Sequence, residues 1–357
     1  MSASTNETSA VWRIIDSSLN RVAEGLRTAE EFARFVLNDP LISEQIKALR
    51  HEVGVVGRRF PRQALQTHRD TVGDVGVAIK TPDEWRRSSA TDIAIAALSR
   101  VQQSLRCLEE YSKLVDVKAA AEFETIRYRT YTVSAAMENL NARRKRLSSC
   151  RLYLLIDGQQ SSEAMARLML EMANTGVDAI QLRDKSLNDR DLFERASIAA
   201  QVLRPTKCLF IVNDRADIAI GVNADGLHLG QEELPITAAR RIVGDEMLIG
   251  ISTHDLDQAK QAVLSKADYI GCGPTFPSRT KSFQHFAGLR FLKDVAAQTS
   301  IPAFAIGGID LTNVDQVVET GFRRIAVAGS ILHHPSPTNA VEEFSRILSQ
   351  ASGEGNE

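Results

Sequence analysis

The chain has 357 residues, 43% of them apolar and 25% charged, with a formal net charge of −2. That composition fits two or three domains with real cores, and it gives no global pull toward nucleic acid or a membrane surface. No stretch of about 18 apolar residues occurs, and Cys107, Cys150, Cys208 and Cys272 are scattered without a CxxC pair, so neither a membrane span, a disulfide framework nor a zinc site is expected and a reducing cytoplasm fits.

The first stretch, residues 1–11, is polar, lacks the basic-then-apolar order of a signal peptide and is expected to be disordered. Residues 12–146 then read as an all-helical domain. "VWRIIDSSLNRVAEGLRTAEEFARFVL" carries Ile15, Leu19, Val22, Leu26 and Ala29 at helical spacing, and "TDIAIAALSRVQQSLRCLEEYSKLV" repeats the pattern. Between their hairpins, "THRDTVGDVGVAIKTPDEW" is rich in Gly, Asp and Thr and reads as loop. "NRVAEGLRTAEEFAR" aligns with "SRVQQSLRCLEEYSK", and "IKALRHE" aligns weakly with "FETIRYR", at an offset of about 78 residues. A duplicated helical hairpin, able to form a pseudo-twofold four-helix bundle, follows. The repeat places Arg21 and Arg27, and again Arg100 and Arg106, six residues apart. Exposed helices laced by ion pairs to the following glutamates are one reading, and a paired anion site at the pseudo-twofold is the other. The basic run "ARRKRL" at 142–147 reads as a solvated helix end or linker, with a polyanion patch as the alternative.

The pattern changes over residues 150–350. Short apolar runs, "RLYLLID", "AIQLRD", "LFIVND", "GLHLG", "LIGIST", "YIGCG", "PAFAIGG" and "RIAVAG", alternate with amphipathic segments such as "SEAMARLMLEMANTG" and "DLDQAKQAVLSK". Eight βα units call for parallel pairing, and short even spacing favours a closed (β/α)8 TIM barrel over an open doubly wound sheet. Overall the fold class is α/β, a C-terminal barrel behind an all-α domain. Residues 351–357 are expected to form a disordered tail.

A barrel of this kind keeps its site at the C-terminal ends of the strands. Gln181, Arg183 and Lys185 alternate along the second strand end and share one side, a set suited to a polyanion. Asn213 and Asp214 close the third strand, and Glu232 and Glu233 follow the fourth. Carboxylates facing cations suit a magnesium–phosphate site. Ser252 ends the fifth strand, and the loop histidine His254 is a candidate acid or base. After the sixth strand, "GCGPTFPSRTKS" brings Ser278, Arg279, Thr280 and Lys281, a phosphate cradle of hydroxyls and an ammonium stiffened by Pro274 and Pro277. Gly-rich turns after the seventh and eighth strands, at Gly308 and at Ala328–Gly329, offer a second anion site without metal. His333 and His334 are adjacent and read as a solvated pair.

Six motifs, "QLRDK", "VNDR…ADGLHLGQEE", "IGIS", "YIGCGPTFPSRTK" and "AIGGI" among them, together resemble the thiamine phosphate synthase family over residues 150–350. The resemblance implies coupling of 4-amino-2-methyl-5-(diphosphooxymethyl)pyrimidine to 4-methyl-5-(2-phosphooxyethyl)thiazole, with release of diphosphate. It also implies residue roles. Gln181, Leu182, Arg183, Asp184, Lys185, Asn213, Ser252 and Lys281 would hold the pyrimidine diphosphate. Ser278, Arg279, Thr280, Gly308, Ala328 and Gly329 would hold the thiazole phosphate, and Asp214 and Glu233 would bind Mg2+. Arg183, Lys185, Lys281 and Ser252 would serve catalysis. Three positions depart from the family's pattern: Glu233 stands where Asp is usual, Ser278 where Thr is usual, and the strand-8 pair ends in Gly329 rather than Ser. Partners implied are these two phosphorylated small molecules, with no nucleic acid and no membrane, and a homo-oligomer is compatible. Alternatives are a thiazole tautomerase-like or regulatory barrel. For the helical domain they are a pyrimidine-phosphate kinase role, which no Walker-type GxxxxGK[ST] supports, or a dimerisation or sensing module.

Overall fold

The computed structural model describes residues 2–67, 87–144, 146–277 and 286–353. The chain divides into two compact units, Met1–Asn141 and Ala142–Glu357. The first contains helices α1 (Ser2–Phe35), α2 (Pro40–Gly57), α3 (Arg62–Thr67), α4 (Ala90–Ser112) and α5 (Val117–Arg144), the last running just past the unit's limit. Helix α1 starts at Ser2, so the expected disorder over residues 1–11 is corrected from residue 2 onward. No glycine or proline interrupts "SASTNETSAV", and once a helix is nucleated each further residue adds a hydrogen bond. The glycine-rich "THRDTVGDVGVAIKTPDEW" lies outside the described residues, apart from its first, Thr67.

The duplication is visible in the ion pairs. Glu30 of α1 accepts from Arg50 of α2 at 3.0 Å, and its repeat equivalent Glu109 of α4 accepts from Arg127 of α5 at 2.8 Å. Glu52 and Arg129 occupy equivalent positions in the two hairpins and touch each other at 2.5 Å, which puts the pseudo-twofold axis beside them. Helix α1 packs on α4 at Gly25, where a Cβ would come within 2.5 Å of Val101 Cγ2. The six-residue arginines resolve toward ion pairing: Arg27 meets Glu31, and Arg106 meets Glu109 and Glu110, while Arg21 and Arg100 are exposed. The two buried pairs are unequal, because Arg127 and Glu109 are both almost fully enclosed whereas Arg50 is partly exposed. Glu109→Gln strands a buried guanidinium and is expected to cost about 3 kcal/mol, against about 1 kcal/mol for Glu30→Gln. Denaturant unfolding of the two variants checks the order.

The second unit begins with β1 (Leu152–Ile156), α6 (Ser162–Thr175), β2 (Ala179–Leu182), α7 (Asp189–Leu203), β3 (Leu209–Asn213), α8 (Ala216–Gly221), β4 (Gly226–Leu229) and α9 (Ile236–Val243). It continues with β5 (Leu248–Thr253), α10 (Leu256–Leu264), β6 (Tyr269–Cys272), α11 (Gly288–Gln298), β7 (Ala303–Ile306), α12 (Val314–Glu319), β8 (Ile325–Val327), α13 (Gly329–Leu332) and α14 (Pro337–Gly353). The eight strands pair in parallel, in chain order, and β1 closes on β8 with Tyr153 opposite Ala326. An open doubly wound sheet is thereby excluded. Helix α14 continues three residues into the expected tail, and 354–357 lie outside the described residues.

The bottom of the barrel is tied by aspartates just before β2, β4 and β6. Asp178 accepts from the N–H groups of Arg151 and Leu152, Asp225 from Phe210 N, and Asp268 from Ile249 N and the Arg240 guanidinium. Each carboxylate satisfies donors that the first turn of the preceding strand would leave open. Inward positions alternate with period two and fill the interior with Tyr153, Ala179, Ile211, Leu248, Tyr269, Phe304 and Ala326. Gly250 is required here: a Cβ would fall 2.1 Å from Cζ of the fully buried Tyr269.

Candidate active site

The C-terminal strand ends bring the expected residues to one mouth. On β2, Gln181 turns inward and donates from Nε2 to Tyr153 OH at 2.7 Å. Alternation carries Arg183, whose N–H donates to Ile156 O at 2.8 Å, to the same side, while Lys185 lies past the strand end in a bend and is placed by its contacts with Asp214 and Glu233. Leu182 is buried on the opposite, helix-facing side. Asp184 is engaged by its own loop. Its carboxylate accepts from Gly158 N at 3.0 Å and from Ser186 N and Oγ at 2.8 and 2.6 Å, so it braces the loop that carries Lys185. Ser186 and these backbone donors hold that carboxyl below the usual range in spite of its partial burial, which acts in the other direction.

Asp214 sits just past β3 with φ 62°, a left-handed conformation that aspartate tolerates better than most residues. Its N–H donates to the His228 carbonyl at 2.8 Å, which fixes the turn. The Lys185 ammonium lies 3.3 Å from Asp214 Oδ2 and 3.7 Å from Glu233 Oε1. Glu233 folds back over Gly230, close to where a Cβ would be, while Glu232 is exposed. Two carboxylates thus converge on one position that carries positive charge, the donor set of a hard divalent cation. Among the described residues no cluster of three or more His, Cys, Asp or Glu competes for a metal.

The start of the loop after β6 is a strap over the end of β7. Thr275 N donates to Ile306 O and Phe276 N to Gly307 O, both at 2.9 Å. Gly307 and Gly308 have φ of 97° and 67°, and Cβ atoms there would approach Pro274 and the Phe276 and Pro277 carbonyls within 2.8 Å. These glycines are needed for the strap as well as for any ligand. His254 Nδ1 donates to the Gly273 carbonyl at 2.6 Å, so the candidate acid or base serves as a tether for that strap. Ser278, Arg279, Thr280 and Lys281 lie outside the described residues. Ala328 precedes the short helix α13, whose first N–H groups lack partners within the helix.

Three residues of the interior escape a motif reading. Tyr153, Tyr269 and His228 connect Gln181 to Ser252: Tyr153 OH and Tyr269 OH are 3.1 Å apart, Tyr269 OH is 3.2 Å from His228 Nδ1, and His228 Nε2 is 3.1 Å from Ser252 Oγ. Burial pushes the His228 imidazole down to about 4, with the Arg183 guanidinium adding to the effect. Burial raises both phenols, so they stay protonated. A signal existed in the sequence: Gly250 and Gly271 are inward glycines on adjacent strands, and they vacate space for rings.

Cysteines of the described chain are free, and Cys150, Cys208 and Cys272 are buried. No described helix is long and apolar enough to cross a membrane.

Residues 152–331 match the family described as thiamine monophosphate synthase, and residues 13–136 match the ThiD2 family. The thiamine-phosphate synthase of Rhodopirellula baltica is 47% identical over 337 residues, covering 92% of this chain and 90% of that one. That of a Nostoc species is 38% identical over 328 residues, covering 92% and 91%. In structure, thiamine phosphate pyrophosphorylase from Pyrococcus furiosus superposes with a TM-score of 0.51 at 32% identity, covering 59% of this chain and 99% of that one. A closed barrel, convergent cations and carboxylates at its mouth, and this likeness over nearly the full length agree: the chain belongs to the thiamine-phosphate synthase family of transferases.

Proposed function

We propose that the barrel joins 4-amino-2-methyl-5-(diphosphooxymethyl)pyrimidine to 4-methyl-5-(2-phosphooxyethyl)thiazole with Mg2+ at Asp214 and Glu233. The observation that carries the reading is the Lys185 ammonium between those two carboxylates, with Arg183 on the same strand side. Two carboxylates with open positions for phosphate oxygens and water fit Mg2+, which dehydrates reluctantly and takes few protein ligands. Bound there, the ion would draw charge from the leaving diphosphate.

The chain's own residues supply the rest. Arg183 and Lys185 stabilise negative charge as the diphosphate departs, in a preorganised position. Gln181 and Ser252 hold the pyrimidine ring. The ring's amino group spreads the resulting positive charge, and the thiazole nitrogen, already a nucleophile, attacks the exposed methylene. No general base is needed, and the tethering of His254 to Gly273 speaks against a tautomerase that would use it. Gly308 and the backbone at Ala328 and Gly329 cup the thiazole phosphate, to which the family resemblance also assigns Ser278, Arg279 and Thr280, while it assigns Lys281 to the diphosphate.

The test is a coupling assay with both substrates, with and without Mg2+. Product that forms equally well in excess chelator, or no product at all, defeats the reading. Lys281→Ala is expected to lower kcat about 100-fold while changing thiazole-phosphate binding less than about threefold, measured by single turnover and titration calorimetry. Equal losses in both would move the lysine to the other anion.

A further inference from the structure

The five side chains that cross the barrel interior carry a fixed order of protons. The Gln181 amide donates from Nε2 to Tyr153 OH. The Tyr153 proton must then go to Tyr269 OH, and the Tyr269 proton to His228 Nδ1. A neutral imidazole that accepts at Nδ1 carries its proton at Nε2, and that proton goes to Ser252 Oγ. Two groups are left over. Gln181 Oε1 is buried and has no hydrogen-bond partner among the described residues. The Ser252 hydroxyl proton is not used by this chain of bonds.

We infer that Tyr153, Tyr269 and His228 are positioning residues that make Gln181 an acceptor and Ser252 a donor, and so select a 4-aminopyrimidine ring over its 4-oxo counterpart. This rests on the proposed coupling reaction. An aminopyrimidine edge offers an N–H donor at position 4 and a lone pair at the adjacent ring nitrogen. The diphosphate-bearing carbon is the neighbour of position 4, and the cations for the diphosphate, Arg183 and Lys185, follow Gln181 just past the end of β2. Position 4 therefore faces Gln181 Oε1, and the ring nitrogen faces Ser252. A 4-oxo ring presents an oxygen and an N–H in those places, so its oxygen would repel Gln181 Oε1 and its N–H would leave the Ser252 proton without a ring acceptor. The order is all-or-none. Turning the Gln181 amide over would reverse every bond, leaving a donor at Gln181 and an acceptor at Ser252, which would favour the oxo ring. The network is built into the packing: Gly250 opens room for the Tyr269 ring, and Gly271 lies against the His228 imidazole.

The test compares kcat/KM for the 4-amino and 4-oxo pyrimidine diphosphates in wild type and Tyr269→Phe, together with 15N NMR of His228 in the wild-type protein. Wild type is expected to favour the amino ring at least about 100-fold, since a site built to hydrogen-bond rejects a ring whose polar groups are mismatched. Tyr269→Phe should bring that ratio below about 10-fold, with the KM for thiazole phosphate unchanged, and the wild-type spectrum should report the Nε2–H tautomer. A wild type that prefers the oxo ring or is indifferent, a variant that slows both rings in proportion, or an Nδ1–H tautomer overturns the inference. Should Tyr269→Phe not fold, Tyr153→Phe cuts the same chain one link earlier. A wild type that makes no product from the amino ring would instead defeat the coupling reaction, and the tautomer would still decide the proton order.

Discussion

Asp214→Asn should lower kcat/KM for coupling by about 1,000-fold while leaving the fold intact. The size is that of losing a charge which holds the group stabilising the leaving anion. Asparagine is the informative replacement because it tolerates the left-handed backbone at this position, φ 62°, nearly as well as aspartate. Alanine would add backbone strain to the loss of charge and blur the two. The carboxylate's neighbours predict a second signature. Lys185 lies 3.3 Å from Asp214 and 3.7 Å from Glu233, so the variant leaves it one partner at the longer distance. The Mg2+ concentration for half-maximal rate should rise at least 10-fold, and a Mg2+ titration of the coupling rate, with circular dichroism as the control for folding, measures it. Unchanged turnover and unchanged Mg2+ dependence would remove Asp214 from the proposed metal site.

Gly250→Ala acts on stability. An alanine Cβ would stand 2.1–2.6 Å from three atoms of the Tyr269 ring, which is itself fully enclosed by Tyr153, Phe304 and His228. A core packed at crystal-like density cannot absorb that without moving a strand or expelling the ring. The expected cost is about 3 kcal/mol, the upper part of the range for overpacking. For a unit of this size that corresponds to a fall in Tm of roughly 6–12 °C. Combining it with Tyr269→Leu should cost less than the two changes added together, because the smaller side chain removes the clash. Additivity in a thermal-melt cycle would mean that Gly250 has another reason to be glycine.

The order of layers was legible in the chain because burial writes itself in period. Parallel strands covered on both faces appear as short apolar runs, and their helices appear as 3.6-residue stripes. The duplicated hairpin was legible for a different reason: Arg27 and Arg106, Glu30 and Glu109 repeat as residues, and their ion pairs repeat with them. Alternation places Gln181 and Arg183 on one side, but β2 ends at Leu182 and Lys185 lies in the bend beyond it. Leu182 and Asp184 show what a contiguous motif leaves open about side chains. One faces the helices, and the other is consumed by the backbone of its own loop. The start at residue 2 was missed because a polar segment without glycine or proline looks disordered by composition yet extends readily from a helix already formed.

By itself the sequence determined the two units, the closed barrel and the strand ends where charge collects, since local periodicity and motif spacing are properties of consecutive residues. The tertiary structure alone decided which distant groups share a proton or a charge. Tyr153 and Tyr269 are 116 residues apart and meet at 3.1 Å. Lys185 meets Asp214 and Glu233 from three different strand ends. His254, a candidate acid or base on type alone, turns out to tether Gly273. Contacts of this kind depend on the shear and closure of the barrel, which set what stands opposite what, and no spacing along the chain encodes them.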